Sequence, residues 1–295
     1  MSDRLTHLFV QLRWKLRSLL PDDAPKRRTV QGVTLWMPRA HRLGDFAAVA
    51  PDYGQNIVRL AAALDPGRPL QLIDVGANIG DTTAQVLATR PGSALCVEAD
   101  AYWLPFLQRN LDESTSTIAF HLLVPSTEVS ATAARPVRNN QGTTTFAEGT
   151  DPSTAPPIAI GDLPASYPEF DHVRLVKSDT DGYDAALIPA LAETYAASTP
   201  ALFFEYDERL TRNAGNESPA DLFARLVELG YDRFVAWDNW GGLRSTFTGA
   251  DWTGAVDRLR EGVAAGSWDF WDVAAAHRDD PAGIAAVESF GTPPA

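Results

Sequence analysis

The chain has 295 residues, 45% of them hydrophobic, and carries a formal net charge of −13. This size allows one large α/β domain or two small ones, and the charge excludes a general nucleic-acid binder, which needs a basic surface. A single cysteine, Cys96, excludes an intrachain disulfide and fits the reducing cytoplasm, which is the expected location.

Residues 1–50 are expected to form an N-terminal extension with a helix, a linker and a small hairpin. RLTHLFVQLRWKLRSLL, at 4–20, places leucines at helical spacing and basic residues mostly elsewhere around the helix. Such a helix most simply packs on its own domain, and the alternative is contact with an acidic membrane surface or a partner. Arginines interrupt every apolar run here, so neither a signal peptide nor a membrane span is expected. TVQGVTLWMP, which follows, predicts the hairpin, with Gly32 in its turn.

Residues 51–280 are predicted to form one domain in which strands and helices alternate. Strands are expected at 70–75, 94–99, 117–124, 172–179, 201–207, 231–237 and 268–277. Helices are expected at 55–64, 82–89, 102–111, 183–196 and 218–229. This order indicates a largely parallel sheet with right-handed crossovers. Two segments depart from it: a β-rich insertion at 125–160, and a loose tail at 281–295.

The stretch LIDVGANIGDT, after the strand at 70–75, has the composition of a nucleotide-binding turn. Its glycines allow a tight bend and close approach of a ligand, and the next helix presents unpaired N–H groups. The D-x-G-x-N-x-G spacing differs from the G-x-G-x-x-G of dinucleotide sites, and the leading Asp74 would repel a pyrophosphate. It would attract the amine of S-adenosylmethionine (SAM).

Glu98 ends the second strand, where an acid commonly accepts hydrogen bonds from the two ribose hydroxyls of a nucleotide. The free ribose diol of SAM suits such an acceptor. The residues predicted to bind this cofactor are Asp74, Gly76, Asn78, Gly80, Asp81, Thr82, Glu98, Ala99 and Ser178.

LIDVGANIGDT followed by CVEAD resembles the SAM-dependent methyltransferases of the FkbM type. That family has a later strand of the form I-K-I-D-V-E-G-Y-E, and this chain has VKSDTDGYD at 176–184, with Ser178 in place of a branched apolar residue. PALFFEYD at 200–207 is similar to its next strand, and the likeness extends over about 56–277. The resemblance implies a class I methyltransferase (Rossmann-like) fold, with a seven-stranded mixed sheet and helices on both faces. It also implies methyl transfer from SAM to an oxygen, often of a sugar or secondary metabolite.

Acids that end the fourth and fifth strands are expected to meet beyond the sheet edge where ligands bind. Asp179, Glu205 and Lys177 are predicted to be catalytic, with Asp179 favoured as the base or positioning acid. Alternatively, Asp179, Glu205 and Asp207 could hold a divalent cation, or the carboxylates could simply offset the sulfonium charge and pair with Lys177. Whether a metal is needed stays open at this point.

The acceptor is expected to lie beside the segment at 237–268, which resembles a lid and is rich in tryptophan. Flat aromatic rings suit sugars or macrocycles, although most of these tryptophans are expected to pack against the sheet. The residues predicted to contact substrate are Asp181, Tyr183, Asp207, Trp237, Asn239 and Trp240. No histidine is a strong candidate base, and only His41 could fold over the site.

The sequence therefore predicts a SAM-dependent O-methyltransferase that acts on a hydroxyl of a sugar, glycan or secondary metabolite. The alternatives are a non-catalytic SAM-binding partner module and another enzyme with an adenosyl cofactor, such as an NAD-dependent oxidoreductase.

Overall fold

The computed structural model describes residues 25–126, 134–138, 144–215 and 218–291. The predicted helix at 4–20 lies outside these residues. None of the helices in the described ranges is long and apolar enough to cross a membrane.

The strands of the described part of the chain are β1 (Lys26–Val30), β2 (Val33–Met37), β3 (Leu70–Val75), β4 (Gly92–Glu98), β5 (Ser116–Phe120), β6 (Leu122–Val124), β7 (Ala134–Arg138), β8 (Thr144–Glu148), β9 (Pro157–Ala159), β10 (Leu175–Ser178), β11 (Ala201–Tyr206), β12 (Tyr231–Asp238), β13 (Leu243–Thr248) and β14 (Trp271–His277). The α-helices are α1 (Leu43–Val49), α2 (Gln55–Ala63), α3 (Asp81–Thr89), α4 (Leu104–Leu111), α5 (Leu163–Ser166), α6 (Asp184–Thr194), α7 (Glu208–Asn213), α8 (Pro219–Glu228), α9 (Trp252–Ala264) and α10 (Pro281–Glu288).

The main sheet has eight strands, in the order β13-β12-β14-β11-β10-β3-β4-β5. β3, β4, β5, β10 and β11 pair in parallel, whereas β14 runs antiparallel between β11 and β12. A parallel α/β sheet with its last strand inserted in the reverse direction is the class I methyltransferase arrangement. The predicted count of seven strands is wrong, because β13 adds an antiparallel strand at the edge beside β12.

Helices cover both faces of this sheet, and each face has its own hydrophobic core. One core packs β-strand side chains against α5, α6, α8 and α9. The other packs the opposite side chains against α2, α3, α4 and α10. Successive residues of a strand point to opposite faces, so residues two apart on a strand meet the same helices.

The segment at 237–268 is not a lid over the sheet edge. Its first half forms the hairpin of β12 and β13, and its second half forms α9, which buries Ala255, Val256 and Leu259 against the sheet. Alternating residues in LRSTFT and apolar residues at helical spacing in α9 explain why this segment joins the core.

The residues after 280 also differ from the predicted loose tail. α10 buries Ala286 and Val287, and Phe290 contacts the Trp237 ring at 4.8 Å between centroids. Asp280, at the start of α10, accepts a hydrogen bond from the side chain of Arg174, the residue before β10. The Nη1 and Oδ2 atoms are 2.6 Å apart. The C-terminal helix therefore belongs to the sheet's second covering layer.

The N-terminal hairpin of β1 and β2 is present, and its turn residues Gln31 and Gly32 both have positive φ. Together with α1 and Trp103 it forms a third, smaller core that includes Ile79. The Asn110 side chain also accepts from the Trp36 backbone N–H and donates to the Ile79 carbonyl. The hairpin is thus fixed directly onto the loop after β3.

Replacing Arg174 with Met should lower the free energy of unfolding by about 2–4 kcal/mol, because the carboxylate of Asp280 then loses a largely buried partner. Both side chains are about one-tenth exposed, at 10% and 12%. Urea denaturation measures the change. Arg225→Met, which removes pairs with the exposed Glu193 and Glu228, is the control and should cost less than about 1 kcal/mol. Equal losses in the two variants would show that Arg174 does not anchor α10.

Candidate cofactor and acceptor site

The loop between β3 and α3 has three positions with positive φ, which favour glycine or asparagine. Gly76 has φ +70°, and a Cβ there would lie 2.0 Å from the Asp179 carbonyl oxygen. Gly80, at φ +79°, lies against Leu107 and Leu111, and Asn78 also has a positive φ of 51°. The glycines are therefore required by close packing of this loop on the end of β10 and on α4.

Glu98 reaches from the end of β4 into this loop. Its Oε2 accepts from the Asn78 N–H at 2.7 Å, and its Oε1 accepts from the backbone N–H groups of Ala99 and Asp100 at 2.9 and 2.8 Å. Burial raises the pKa of Glu98 to about 7 despite these hydrogen bonds. The acid predicted to hold ribose therefore also holds the loop in its bent form.

Asp74 and Lys177 form a buried ion pair below the loop, with Oδ1 and Nζ 2.9 Å apart. The other oxygen of Asp74 accepts from the Thr83 hydroxyl at 2.7 Å, and the side chain has no exposed surface. Burial opposes the charge of Lys177, but Asp74 and Asp179 outweigh it and raise the pKa of the ammonium group. Asp74 thus supports the loop and does not face a ligand amine as predicted.

Ser178 is fully buried, and this overturns the prediction that it contacts the cofactor. Its hydroxyl donates to Asp184 Oδ1 at 2.6 Å. Asp184 also accepts from the Thr180 hydroxyl at 2.9 Å and from the Thr180 N–H, so it shapes the turn between β10 and α6. The hydroxyl of Ser178 gives this buried carboxylate a hydrogen-bond donor, which an apolar side chain could not supply. This explains why the chain has Ser178 where the FkbM-type motif has a branched apolar residue.

Three carboxylates lie in a row across the ligand edge, one from each of three neighbouring strands. Asp179 follows β10, Glu205 ends β11, and Asp272 starts β14 directly opposite Glu205 in the antiparallel register. By alternation, the row lies on the face that carries Lys177, whose Nζ is 4.0 Å from Asp179 Oδ2. Directly opposed side chains on such strands have Cβ atoms about 5 Å apart, so the charges of Glu205 and Asp272 interact strongly.

The pKa values at this edge reflect burial and mutual repulsion. Burial and then the charge of Asp179 raise the pKa of Asp272 to about 8, and the pKa of Glu205 rises well above its usual range for the same reasons. Burial and Asp179 likewise raise the pKa of Asp181 to about 8. The phenol of Tyr53, from the turn before α2, has a raised pKa because it is buried close to Asp179, Glu205 and Asp272. The edge is thus short of positive charge.

Asp81 and Thr82 begin α3, one residue earlier than the predicted start at 82, and both are partly exposed beside the loop. Burial raises the pKa of Asp81 to about 6, although Lys177 opposes the shift. Tyr183 precedes α6 and is partly buried, which raises the pKa of its phenol.

Asp207 does not join the carboxylate row. It caps α7, where its Oδ1 accepts from the N–H groups of Arg209 and Leu210 at 2.8 and 3.0 Å. The metal set considered from the sequence, Asp179, Glu205 and Asp207, is therefore not assembled. Within the described ranges, no group of three or more His, Cys, Asp or Glu side chains is arranged to hold a metal ion.

The tryptophans near the edge pack against the protein, with one exception that borders the site. Trp237 is 2% exposed and packs on Phe203 and Phe290, so the predicted substrate contact is wrong. Trp271 stacks on Tyr206, and Trp252 stacks on Phe223. Asn239 is also buried, and its side chain accepts from the Asp269 N–H at 3.2 Å. Trp240 is partly exposed and meets Phe46 edge-on at 6.2 Å.

Tyr53 and Asp272 are residues of this edge that sequence reasoning did not select. His41, named there as the one histidine that could fold over the site, lies beside Trp103 and Asn78. A signal for Asp272 exists, because the strand FWDVAAAH begins on the ligand side and its one acid lies near that beginning. Tyr53 and His41 lie before the alternating elements, and only the packing of α1 and α2 brings them to the site.

No family model matches the chain, and no curated protein matches it. Among solved structures, TYW2 from Pyrococcus horikoshii in complex with MeSAdo is 12% identical, with 92% of this chain and 83% of that chain covered and a TM-score of 0.45. A TehB-like SAM-dependent methyltransferase from Corynebacterium glutamicum is 10% identical, with 77% and 88% covered and a TM-score of 0.40. Methyltransferase FkbM from Methylobacillus flagellatus is 13% identical over 46% of this chain and 32% of that chain, with a TM-score of 0.29.

Sequence identities of 10–13% and TM-scores of 0.29–0.45 do not assign the chain to a family. The resemblance to the FkbM-type enzymes rests on the sequence motifs. The topology and the loop define an α/β protein of the class I methyltransferase fold with an acidic ligand edge.

Without a ligand, the protein should lose stability as the pH rises through about 8. Asp181 and Asp272 have folded-state pKa values of about 8, far above the roughly 4 of an unfolded aspartate, so their contribution is complete below pH 4 and is lost as they ionise. Asp272→Asn should reduce this loss and raise the melting temperature at pH 9 by roughly 2–4 °C per kcal/mol recovered.

Thermal unfolding between pH 5 and pH 9 measures the effect. The exposed Asp269, changed to Asn, serves as the matched control and should follow the wild-type pH profile. A wild-type melting temperature that stays level from pH 6 to pH 9 would contradict the raised pKa values.

Proposed function

We propose that the protein is a SAM-dependent methyltransferase that methylates a hydroxyl group of a sugar, glycan or secondary metabolite. The observation that carries this proposal is the location of the acidic edge beside the glycine-containing loop: Asp179 touches Gly76 through its backbone and faces the ligand edge with its side chain. The resemblance to FkbM-type enzymes in LIDVGANIGDT and VKSDTDGYD supports the same assignment. A cytoplasmic location forms part of the proposal.

The charges of the site fit SAM better than a dinucleotide. Acids with raised pKa values at the ligand edge favour a cationic ligand, whereas a pyrophosphate would add negative charge to Asp81, Asp179 and Glu205. SAM supplies a methyl group on a positively charged sulfur. The loop of Gly76–Gly80 would hold its amino-acid portion through backbone groups, and Glu98 would accept from the ribose hydroxyls.

The main task of the protein is to orient the acceptor hydroxyl and to receive its proton. We assign the proton acceptor to the row of Asp179, Glu205 and Asp272, with Asp179 favoured because its side chain is 51% exposed and open to an acceptor. Glu205 and Asp272 would share a proton as a coupled pair, since both cannot ionise at low cost. Lys177 would act from below by fixing Asp179 and the loop, without touching the acceptor.

The acceptor would lie against the aromatic wall of Tyr53, Phe46 and Trp240, close to Asp181 and Tyr183. Phe46 contacts both Tyr53, at 5.2 Å, and Trp240, at 6.2 Å between centroids. Flat aromatic surfaces next to hydrogen-bonding carboxylates suit a hydroxylated ring.

Calorimetric titration with SAM and with NAD tests the cofactor. SAM should bind and NAD should not, and Glu98→Gln should weaken SAM binding by at least about tenfold, because it removes a charged acceptor and loosens the loop. The exposed Glu113→Gln serves as the control and should bind SAM like the wild type. Binding of NAD without binding of SAM would overturn the proposal in favour of an oxidoreductase.

Methyl transfer from labelled SAM to a panel of sugars, glycosides and polyketide alcohols tests the proton acceptor. Asp179→Asn should lower kcat by about 10²–10⁴-fold, because a general base is lost, while the Kd for SAM changes little. Asp257→Asn on the exposed face of α9 should leave kcat unchanged. Equal kcat for Asp179→Asn and wild type would remove Asp179 from the mechanism, and SAM binding without transfer to any acceptor would favour a non-catalytic module.

A further inference from the structure

The small sheet of β7 and β8 is attached to the protein through polar contacts. None of its described residues belongs to the three hydrophobic cores. Arg138, the last residue of β7, donates to Asp100 from both Nε and Nη2, and each nitrogen lies 2.5 Å from a carboxylate oxygen. The Thr144 hydroxyl of β8 also donates to Asp100, at 3.1 Å. Both strands of this sheet therefore converge on one carboxylate.

Asp100 lies two residues after Glu98, and its side chain has no exposed surface. A carboxylate in such a place is strongly unfavourable unless it is paired with a cation and hydrogen-bonded. Within the described ranges, Arg138 is the cation that forms an ion pair with it, in the two-nitrogen geometry that suits a carboxylate best. The charge of Asp100 is therefore balanced from the sheet of β7 and β8.

The backbone between Glu98 and Asp100 connects this ion pair to the cofactor site. The N–H groups of Ala99 and Asp100 donate to Glu98 Oε1 at 2.9 and 2.8 Å. On its other side, the Ala99 carbonyl accepts from the Ala155 N–H at 2.8 Å. The backbone that orients the Glu98 carboxylate is thus held in place by groups that lie outside the main sheet, and Arg138 anchors its end.

The charges around Glu98 make this acid sensitive to the loss of Arg138. Burial is the main cause that raises the pKa of Glu98, and the charge of Asp100 raises it further. The loop after β3 contributes the neutral Asn78 N–H on the opposite side. His41, beside that loop, stays neutral because burial lowers its pKa to about 4. Without Arg138, the unbalanced charge of Asp100 would therefore favour the protonated form of Glu98.

We propose that Arg138 is a positioning residue for the cofactor, which acts through Asp100 on the ribose-binding carboxylate of Glu98. This inference rests on the proposed function. In this role Arg138 fixes the backbone at Asp100 and balances the charge beside Glu98. The sheet of β7 and β8 then belongs to the cofactor site, although it is separate from the main sheet.

Calorimetric titration with S-adenosylhomocysteine between pH 6 and pH 8.5 tests the proposal, because a merely structural role would not move the pH profile. Wild-type affinity should fall as the pH drops through about 7, since Glu98 then gains a proton. Arg138→Met should raise the midpoint of this profile by roughly one pH unit, because Asp100 loses its cation. The same change should weaken binding at pH 7 by about 5–50-fold.

Variants that change the charges separately distinguish electrostatics from a loss of structure. Asp100→Asn combined with Arg138→Met should return the midpoint to the wild-type value or below, because the acid that raises the pKa of Glu98 is gone. Arg138→Lys keeps the charge without the two-nitrogen geometry, so it should keep the wild-type midpoint and recover part of the affinity. An unchanged midpoint in Arg138→Met would overturn the proposal, even if the affinity falls.

Arg135→Met is the matched control, because Arg135 is an exposed arginine on the same strand that points to the opposite face. It should bind S-adenosylhomocysteine like the wild type at every pH. Equal shifts of the midpoint in Arg135→Met and Arg138→Met would show that general surface charge controls Glu98, and would overturn the proposal. If the wild-type protein binds neither SAM nor S-adenosylhomocysteine, the proposed function itself fails, which is a different result.

Discussion

The buried ion pair between Asp74 and Lys177 is the interaction on which the rest of the site depends. A lone ammonium group at this depth would be strongly unfavourable, so Asp74 must stay ionised beside it. Lys177 Nζ also donates to the Gly76 carbonyl at 3.0 Å, and Asp74 accepts from Thr83 of α3. One pair thus joins β3, β10, the loop and α3, and it lets Gly76 pack against the backbone of Asp179.

A second layer of charged side chains lies closer to the ligand edge, two residues beyond Lys177 on its strand. Unlike the Asp74–Lys177 pair, this layer contains more acids than bases. In the lower layer Asp74 and Lys177 neutralise each other. In the upper layer Asp179, Glu205 and Asp272 lie together, and among the described residues Lys177 is the cation that pairs with this row, at 4.0 Å from Asp179. The protein therefore places its electrostatic deficit where a ligand can reach it. The stabilising ion pair of Asp74 and Lys177 offsets the repulsion among the acids of the row at the ligand edge.

Strand and helix alternation could be predicted from the sequence because apolar runs and helical spacing leave a direct periodic pattern. β3 occupies the predicted residues, Glu98 ends β4, and Asp179 directly follows β10, each within one residue of the predicted strand end. Side-chain roles at strand ends could not be predicted in the same way. Trp237 is directed by Phe203 and Phe290, which are distant in sequence, whereas Ser178 and Asp207 turn to nearby partners in the turn and helix that follow each strand. The position of Asp272 directly opposite Glu205 follows only from pairing with β11, because antiparallel register is not encoded in either strand alone. Residues 281–291 were missed because a short alanine-rich helix gains its order from the sheet it covers.

The position of β14 has a consequence for the order in which the protein can be completed during synthesis. β11 and β12 are joined through β14, although β14 follows both of them in the sequence. The chain must therefore be synthesised as far as β14 before β12 and β13 can dock on the five parallel strands that precede them. Asp272 arrives with that strand, so a nascent or truncated chain can carry the complete glycine loop while one of the three acids of the row is still missing.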